Sequence, residues 1–441
     1  MNRQRRKYLI YFIVCLLLTI AITPRLLTLI GFPKQFQIIQ GHQQLLNINF
    51  PFDVYIRTHH NKKITINGQE VDRDYFKVNL GQPLAIKSMA LGKVNLEFNL
   101  FGIIPIRKAV VNVIPQVKVY PGGQSIGVIL KSKGVVVVKE SYVLGADNKK
   151  YYPAKMAGIE VGDKIVAINS QEVKGKESLA KLINYYGSRQ KELKIKIKRE
   201  GNVIYKEIKP KKNKFGRYMI GLYIDDGTTG VGTLSFYDPY SKRYGALGHM
   251  ITDPNSRSRI TISEGKIVQA KISGIHQGSS GIPGEKLGTF FNNQDIIGRI
   301  EKNSRFGIYG RLTGSLNNRF FPEPIPVATA LQVKEGPAKI YTVVHGGEIE
   351  EFDVRIERVF KQYQPKEKGL IIKITDYDLL KRTGGIIQGM SGSPIVQNGR
   401  LVGAVTHVFI DDSARGYGVL AEWMVKTAGV VKTHMARRLG N

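Results

Sequence analysis

The sequence predicts a mainly β protein behind an N-terminal membrane anchor, on three observations. Short apolar runs separated by turn residues recur from about residue 35 onward, punctuated by Asn67-Gly68, Asn79-Leu80-Gly81, Gly92 and Gly102 and, past Lys214, by Gly216, Gly221, Gly227, Gly230 and Gly232. Lys194-Ile195-Lys196-Ile197-Lys198 alternates charge with apolar bulk, the period of a strand with one solvated face. Tyr8 to Thr23 is instead a continuous apolar run behind Arg3, Arg5, Arg6 and Lys7.

That run spans about 24 Å as a helix, against a hydrocarbon core of ~30 Å. Leu26 to Phe32 can extend it past Pro24 and Arg25, and no small-x-small cleavage site is clear near Ala21, so residues 1–34 read as an anchor rather than a removed signal peptide. The basic flank stays in the cytoplasm and the body of the chain faces outside, which makes the membrane a partner. Cys15 is the single cysteine and lies inside the apolar run, which excludes a disulfide framework and a Cys-x-x-Cys zinc site.

At 441 residues the chain needs two or three domains beyond the anchor. Residues 35–117 read as an all-β module without visible chemistry. His59 and His60 lie there in a polar turn with no third ligand at a useful spacing, and nothing in the chain calls for a metal or a cofactor. Residues 118–212 and 213–441 read as two further domains. The formal charge of +31 raises nucleic acid as a partner, but no nucleic-acid motif accompanies it. The densest stretch, Lys191 to Lys214, is the alternating strand; attraction to anionic lipid or cell-wall polymer is the functional reading that remains.

Chemistry concentrates at Gly389-Met390-Ser391-Gly392-Ser393-Pro394. Small residues leave the Ser391 hydroxyl free to meet a carbonyl, and Gly389 and Gly392 let the backbone turn so that the N–H groups of Gly389 and Ser391 point into one hollow for an oxyanion. Pro394 to Gln397, Asn398-Gly399 and Arg400 to Val405 then read as a hairpin with an Asn-Gly turn. A serine nucleophile needs a base. His249, in Tyr244-Gly245-Ala246-Leu247-Gly248-His249-Met250-Ile251-Thr252-Asp253, is the first candidate; His345 and His407 compete. Asp376, close before Ser391, and Asp253, close after His249, are the candidates for the acid that orients the base.

The string around Ser391 resembles the nucleophile loop of trypsin-like serine peptidases, and Gly248-His249 resembles their histidine loop. The resemblance implies a chymotrypsin-like double β-barrel, with oxyanion donors at Gly389 and Ser391. Met390 departs from trypsin, which has aspartate there for its activation switch. Pro153 to Asn169, with Ala157-Gly158, Gly162-Asp163 and Ile165-x-x-Ile168-Asn169, resembles the core of a PDZ domain. That resemblance implies an α+β domain whose peptide groove is lined by Ser125, Ile126, Gly127 and Val128, faced by a helix from Ser178 to Tyr186, with an open strand edge for partner peptides.

The order of anchor, PDZ-like core, histidine string and serine string resembles the stage IV sporulation protein B peptidase family, from the anchor to Trp423. It implies His249 as base, Ser391 as nucleophile and Asp376 as acid. It further implies release into the space between the forespore membranes, self-cleavage, and cleavage of a membrane-bound regulator of an intramembrane protease that activates a late sigma factor. The alternatives are a non-catalytic PDZ scaffold at a membrane surface and an esterase, the latter without the G-x-S-x-G elbow that it needs.

Overall fold

Three β units follow from where the alternating apolar residues close on one another. The computed structural model describes residues 7, 11–14, 16, 33–48, 50, 53–58, 63–71, 76–253, 259–279, 281–290, 295–314 and 316–440. The anchor expected at residues 1–34 falls almost wholly outside these, as do His59 and His60; among the described residues no helix is long and apolar enough to cross a membrane.

The first unit is a sandwich. Gln35–Ile39, Ile104–Ile114, Gly92–Leu100, Asp53–Thr58 and Phe76–Asn79 form one sheet in that order, and Gln43–Leu46, Leu84–Ser88, Ile64–Ile66 and Gln69–Glu70 form the other. Alternation decides what enters the core. Val54 and Ile56 of one sheet and Leu84 and Ile86 of the other are fully buried and share one cluster, each worth about 1.5–3 kcal/mol relative to exposure.

The second unit is a barrel. Its ring of pairings runs from Ser125–Glu140 to Ile262–Gln269, Ile296–Ser304, Gly307–Leu312, Arg243–Ala246 and Leu222–Tyr237, and back to Ser125–Glu140. Ile126, Val128, Leu130, Leu234, Tyr244 and Ile308 fill it. A second closed barrel consists of Gly336–Thr342, Glu350–Val359, Leu370–Ile374, Arg415–Leu420, Arg400–Val408 and Pro394–Gln397. The hairpin read from the sequence lies in it, with Asn398 at φ 50° and Gly399 at φ 69°, the left-handed pair that a two-residue turn requires.

The α+β unit grows out of the first barrel. Ser125–Glu140 runs as one strand through Gly134, whose φ is +83° and where a Cβ would lie 2.5 Å from the carbonyl oxygen of Ile165. Beyond Gly134 the strand pairs with Lys164–Ile168, which pairs with Leu193–Arg199 and then Asn202–Ile208. The helix Lys176–Gly187 buries Leu179 and Ile183 against Ile165, Ile195 and Ile197.

This arrangement corrects the expected peptide groove. Ser125, Ile126, Gly127 and Val128 pair with Thr233 to Gly230 on one side, and Ile126, Gly127 and Val128 pair with Gln269 to Ile267 on the other. Ser125 is 2% exposed and Ile126 0%. No edge is open there for a guest strand. The physical reason is that Ser125–Glu140 continues through the irregularity between Lys131 and Val136 as one strand and commits its first half to the barrel. The side of Val136 to Glu140 that a strand 125–130 folded back in a hairpin would occupy is filled by Leu222 to Asp225.

Candidate active site

Two loops meet between the barrels. The nucleophile loop, 388–393, precedes the hairpin, and nearly every polar backbone group in it is committed. Gln388 N–H donates to the Gly284 carbonyl (2.8 Å), Met390 N–H to Ile387 (3.1 Å), Gly392 N–H to Val405 (2.8 Å) and Ser393 N–H to Met390 (2.9 Å). Among the described residues only the N–H groups of Gly389 and Ser391 in this run have no protein acceptor. Those are the two positions at which a serine peptidase holds its oxyanion. Gly389 adopts φ +92°, open to glycine and strained for any other residue.

Residues far away in the chain hold that loop. Thr233, fully buried on the strand Leu222–Tyr237, donates its hydroxyl to the Gly389 carbonyl (2.7 Å) and its N–H to the Ser391 carbonyl (2.9 Å). Lys286, from the strand Glu285–Thr289, donates its backbone N–H to the Gln388 carbonyl (3.0 Å) and lays its stem under Gly389. Its buried amine donates to the Thr342 hydroxyl (2.8 Å), and burial pulls its pKa down to about 7. Met390, 0% exposed, packs in the second barrel's core and needs no charged partner.

The histidine loop follows the strand Arg243–Ala246. Leu247 takes φ 69° and Gly248 φ 72°. A Cβ at Gly248 would lie 2.8 Å from Thr406 and 3.0 Å from Val419, so only glycine lets this loop cross the second barrel. Nδ1 of His249 donates to the Met250 carbonyl (3.0 Å). A carbonyl can only accept, so the proton of the neutral ring is on Nδ1 and Nε2 carries the lone pair, the tautomer a general base needs. Burial lowers the His249 pKa below the usual imidazole range, while the Met250 carbonyl works the other way. Asn303, 1% exposed, clamps the next turn: Oδ1 accepts from Ile251 N–H (2.9 Å) and Nδ2 donates to the Ile251 carbonyl (2.7 Å).

The two loops are neighbours through the strand Arg400–Val408. Ser391 donates its hydroxyl to the Thr406 carbonyl (2.6 Å), and the His249 ring lies 4.8 Å from the ring of His407. Among the described residues no hydrogen bond joins Ser391 to His249. Asp376 is the N-cap of the helix Tyr377–Thr383: its carboxylate accepts from Leu379 N–H (2.9 Å) and Asp353 N–H (3.4 Å), and no bond to His249 is present. Asp253 acts on Lys164 of the α+β unit, and His345 is exposed in a turn beyond the strand Gly336–Thr342. Sequence reasoning missed Thr233, Lys286 and Asn303; His407, a competitor for the base, lies on the strand Arg400–Val408 beside His249. Only Thr233, beside the Gly230 and Gly232 that were noted, lay near a stretch already singled out.

Residues 216–425 match the family model of the SpoIVB peptidase S55, and residues 125–209 match that of the PDZ domain. The PDZ match begins inside the segment that the structure places in the first barrel. Among solved structures the chain is similar to the Rv3671c protease of M. tuberculosis. The active form shows 16% identity over 46% of this chain and 74% of that one, with a TM-score of 0.25. The inactive form shows 16% identity over 45% and 84%, with a TM-score of 0.24. No curated protein matches the chain. With the two family models covering both the α+β unit and the loops of Ser391 and His249, the chain is a serine peptidase whose residues 216–425 are those of a SpoIVB peptidase S55 domain, preceded by a PDZ domain.

Proposed function

We propose that this chain is a membrane-anchored, extracytoplasmic serine endopeptidase of sporulation signalling. It cleaves itself and a membrane-bound regulatory protein, from the space between the forespore membranes. The family match and the PDZ domain support a protein substrate. The observation that carries the chemistry is the pair of uncommitted N–H groups of Gly389 and Ser391 in a loop whose other donors are all taken.

Ser391 is the nucleophile and His249 the base. For attack, the Ser391 hydroxyl leaves the Thr406 carbonyl and turns to Nε2 of His249, which takes the proton as Oγ bonds to the scissile carbonyl carbon. The oxyanion then bonds to the N–H groups of Gly389 and Ser391, and the imidazolium returns the proton to the leaving amine. Asp376 enters as the acid on the family resemblance alone, since its carboxylate caps a helix here. Free enzymes often tighten catalytic hydrogen bonds only with substrate bound.

The test is a time course of the purified full chain in detergent, alone and with an unfolded protein substrate, beside Ser391→Ala. Discrete fragments from the active chain only support the reading. Identical fragments from both chains defeat it.

A further inference from the structure

The lysine-rich strand is not a plain solvated face. Leu193, Ile195 and Ile197 enter the core of the PDZ unit, and Lys194, Lys196 and Lys198 stand on the other side of the sheet. Lys164 of the neighbouring strand is the direct ladder partner of Lys198. Like charges opposite each other in a ladder repel. Among the described residues, Lys196 and Lys198 make no ion pair, and Lys164 has only partial relief from the charge of Asp253. Partial burial and the nearby Lys198 both push the Lys164 pKa down.

These lysines line one wall of a cleft of about 1870 Å³ between the PDZ sheet and the first barrel. The opposite wall includes Arg259, Thr261 and Ser263, from the chain that leaves His249. The lining carries ten basic residues against six acidic ones, and a concave wall with that excess of one sign focuses potential and draws an anion. The same lining holds Val161 and Val166 and the carboxylates of Glu160, Glu172, Glu177, Glu200, Asp226 and Glu264. A uniform polyanion is repelled by those carboxylates and gains nothing from the valines, whereas a polypeptide with spaced acidic and apolar residues matches both. One aromatic ring, Tyr205, stands in the cleft, too few for stacking bases.

We propose that this cleft is an exosite for an acidic stretch of the protein substrate, held chiefly by Lys164, Lys196 and Lys198 and ending beside the segment that carries His249. The proposal rests on the endopeptidase reading and deepens it.

Two measurements on the full chain test it. The first compares a short fluorogenic peptide carrying a ten-residue Glu/Asp-rich extension with the same peptide carrying a Gly/Ser extension. The acidic extension lowers KM by about tenfold at low salt, as three weak ion pairs allow. The gain disappears in the triple variant Lys164→Gln, Lys196→Gln, Lys198→Gln and in 0.5 M salt, near ~4 Å screening. kcat on the Gly/Ser peptide stays unchanged in that variant. An extension without effect, or a gain that survives in the triple variant, overturns the exosite. The second measures fluorescence anisotropy of the labelled acidic peptide on the Ser391→Ala chain, which needs no turnover. Binding there that the triple variant loses supports the exosite even if no peptide is cleaved, an outcome that would sink the peptidase reading instead. Displacement by inorganic polyphosphate but not by a second acidic peptide makes the cleft a general polyanion site and overturns the peptide assignment.

Discussion

The nucleophile loop and the histidine loop lie against each other and are built in opposite ways. Around Ser391, Thr233, Lys286 and the loop's own carbonyls hold the backbone from several sides, leaving two N–H groups in place for an oxyanion. Around His249 the backbone is held by Gly248 and Asn303, but among the described residues the imidazole bonds only a neighbouring carbonyl and the serine hydroxyl bonds another. On the proposed reading, electrostatic stabilisation is pre-set while proton transfer is not yet assembled. Serine peptidases draw much of their rate from each half, so the two can be broken separately.

The largest effect falls on the proton-transfer half. Ser391→Ala or His249→Ala lowers kcat by about 10⁶, the loss found when either member of such a pair is removed. Both variants stay folded. Turnover above one-thousandth of wild type in either folded variant removes the assignment. In the wild type, activity requires neutral His249, so kcat/KM rises with pH through its pKa. Because burial lowers that pKa, the acid limb has its midpoint below the ordinary 6.5. A midpoint above 6.5 means that a carboxylate reaches the ring in the working enzyme.

Asp376→Asn comes next. Asparagine caps a helix as well as aspartate, so stability stays within a few tenths of a kcal/mol. As the orienting acid, the residue takes kcat down by about 10⁴ when its charge is removed. Unchanged kcat in Asp376→Asn, with Asp376→Ala losing only the ~1 kcal/mol of a cap, limits the residue to the helix N-terminus.

A smaller loss belongs to the oxyanion half. Thr233→Val keeps shape and the N–H bond to Ser391 but leaves the Gly389 carbonyl without its hydroxyl donor. An unsatisfied buried acceptor costs about 1–3 kcal/mol, and part of it is felt as a shift of Gly389. kcat falls roughly 10-fold to 100-fold with KM little changed. A rise in KM alone places Thr233 in substrate binding instead.

What the sequence made legible is local. The Ser391 string, the Asn398-Gly399 hairpin and the glycine before His249 each announce a backbone geometry within a few residues. What it hid is long-range. Thr233 stands 156 residues from Gly389, and Asn303 stands 52 from Ile251. Nothing in Glu285-Lys286-Leu287 marks a lysine as the floor of a catalytic loop. The groove expected at Ser125 to Val128 misled in the other direction. The local likeness to a PDZ core carries no sign of Leu222–Tyr237 and Ile262–Gln269, which pair with that stretch on both sides and close the predicted groove.

The smallest effect sharpens the contrast most. Lys286 supports Gly389 with its backbone N–H and its stem, and its amine reaches away to Thr342. Lys286→Met preserves stem and backbone, so kcat stays within about twofold, whereas Lys286→Ala opens a cavity under Gly389 and loses roughly tenfold. The amine has its own signature. Its folded pKa is depressed from 10.5 to about 7, so the folded state binds fewer protons than the unfolded chain between those values. Stability tied to the neutral amine is complete above 10.5 and is lost as pH falls toward 7. Lys286→Met therefore gains on the wild type as pH drops through that window, read as a higher melting temperature at pH 7 and a smaller difference at pH 10, at about 2–4 °C per kcal/mol. A difference that does not change with pH means that the amine titrates normally and has an anionic partner in solution. A large fall in kcat for Lys286→Met means that the ammonium itself bears on the oxyanion, and the nucleophile loop then owes its function to charge as well as to shape.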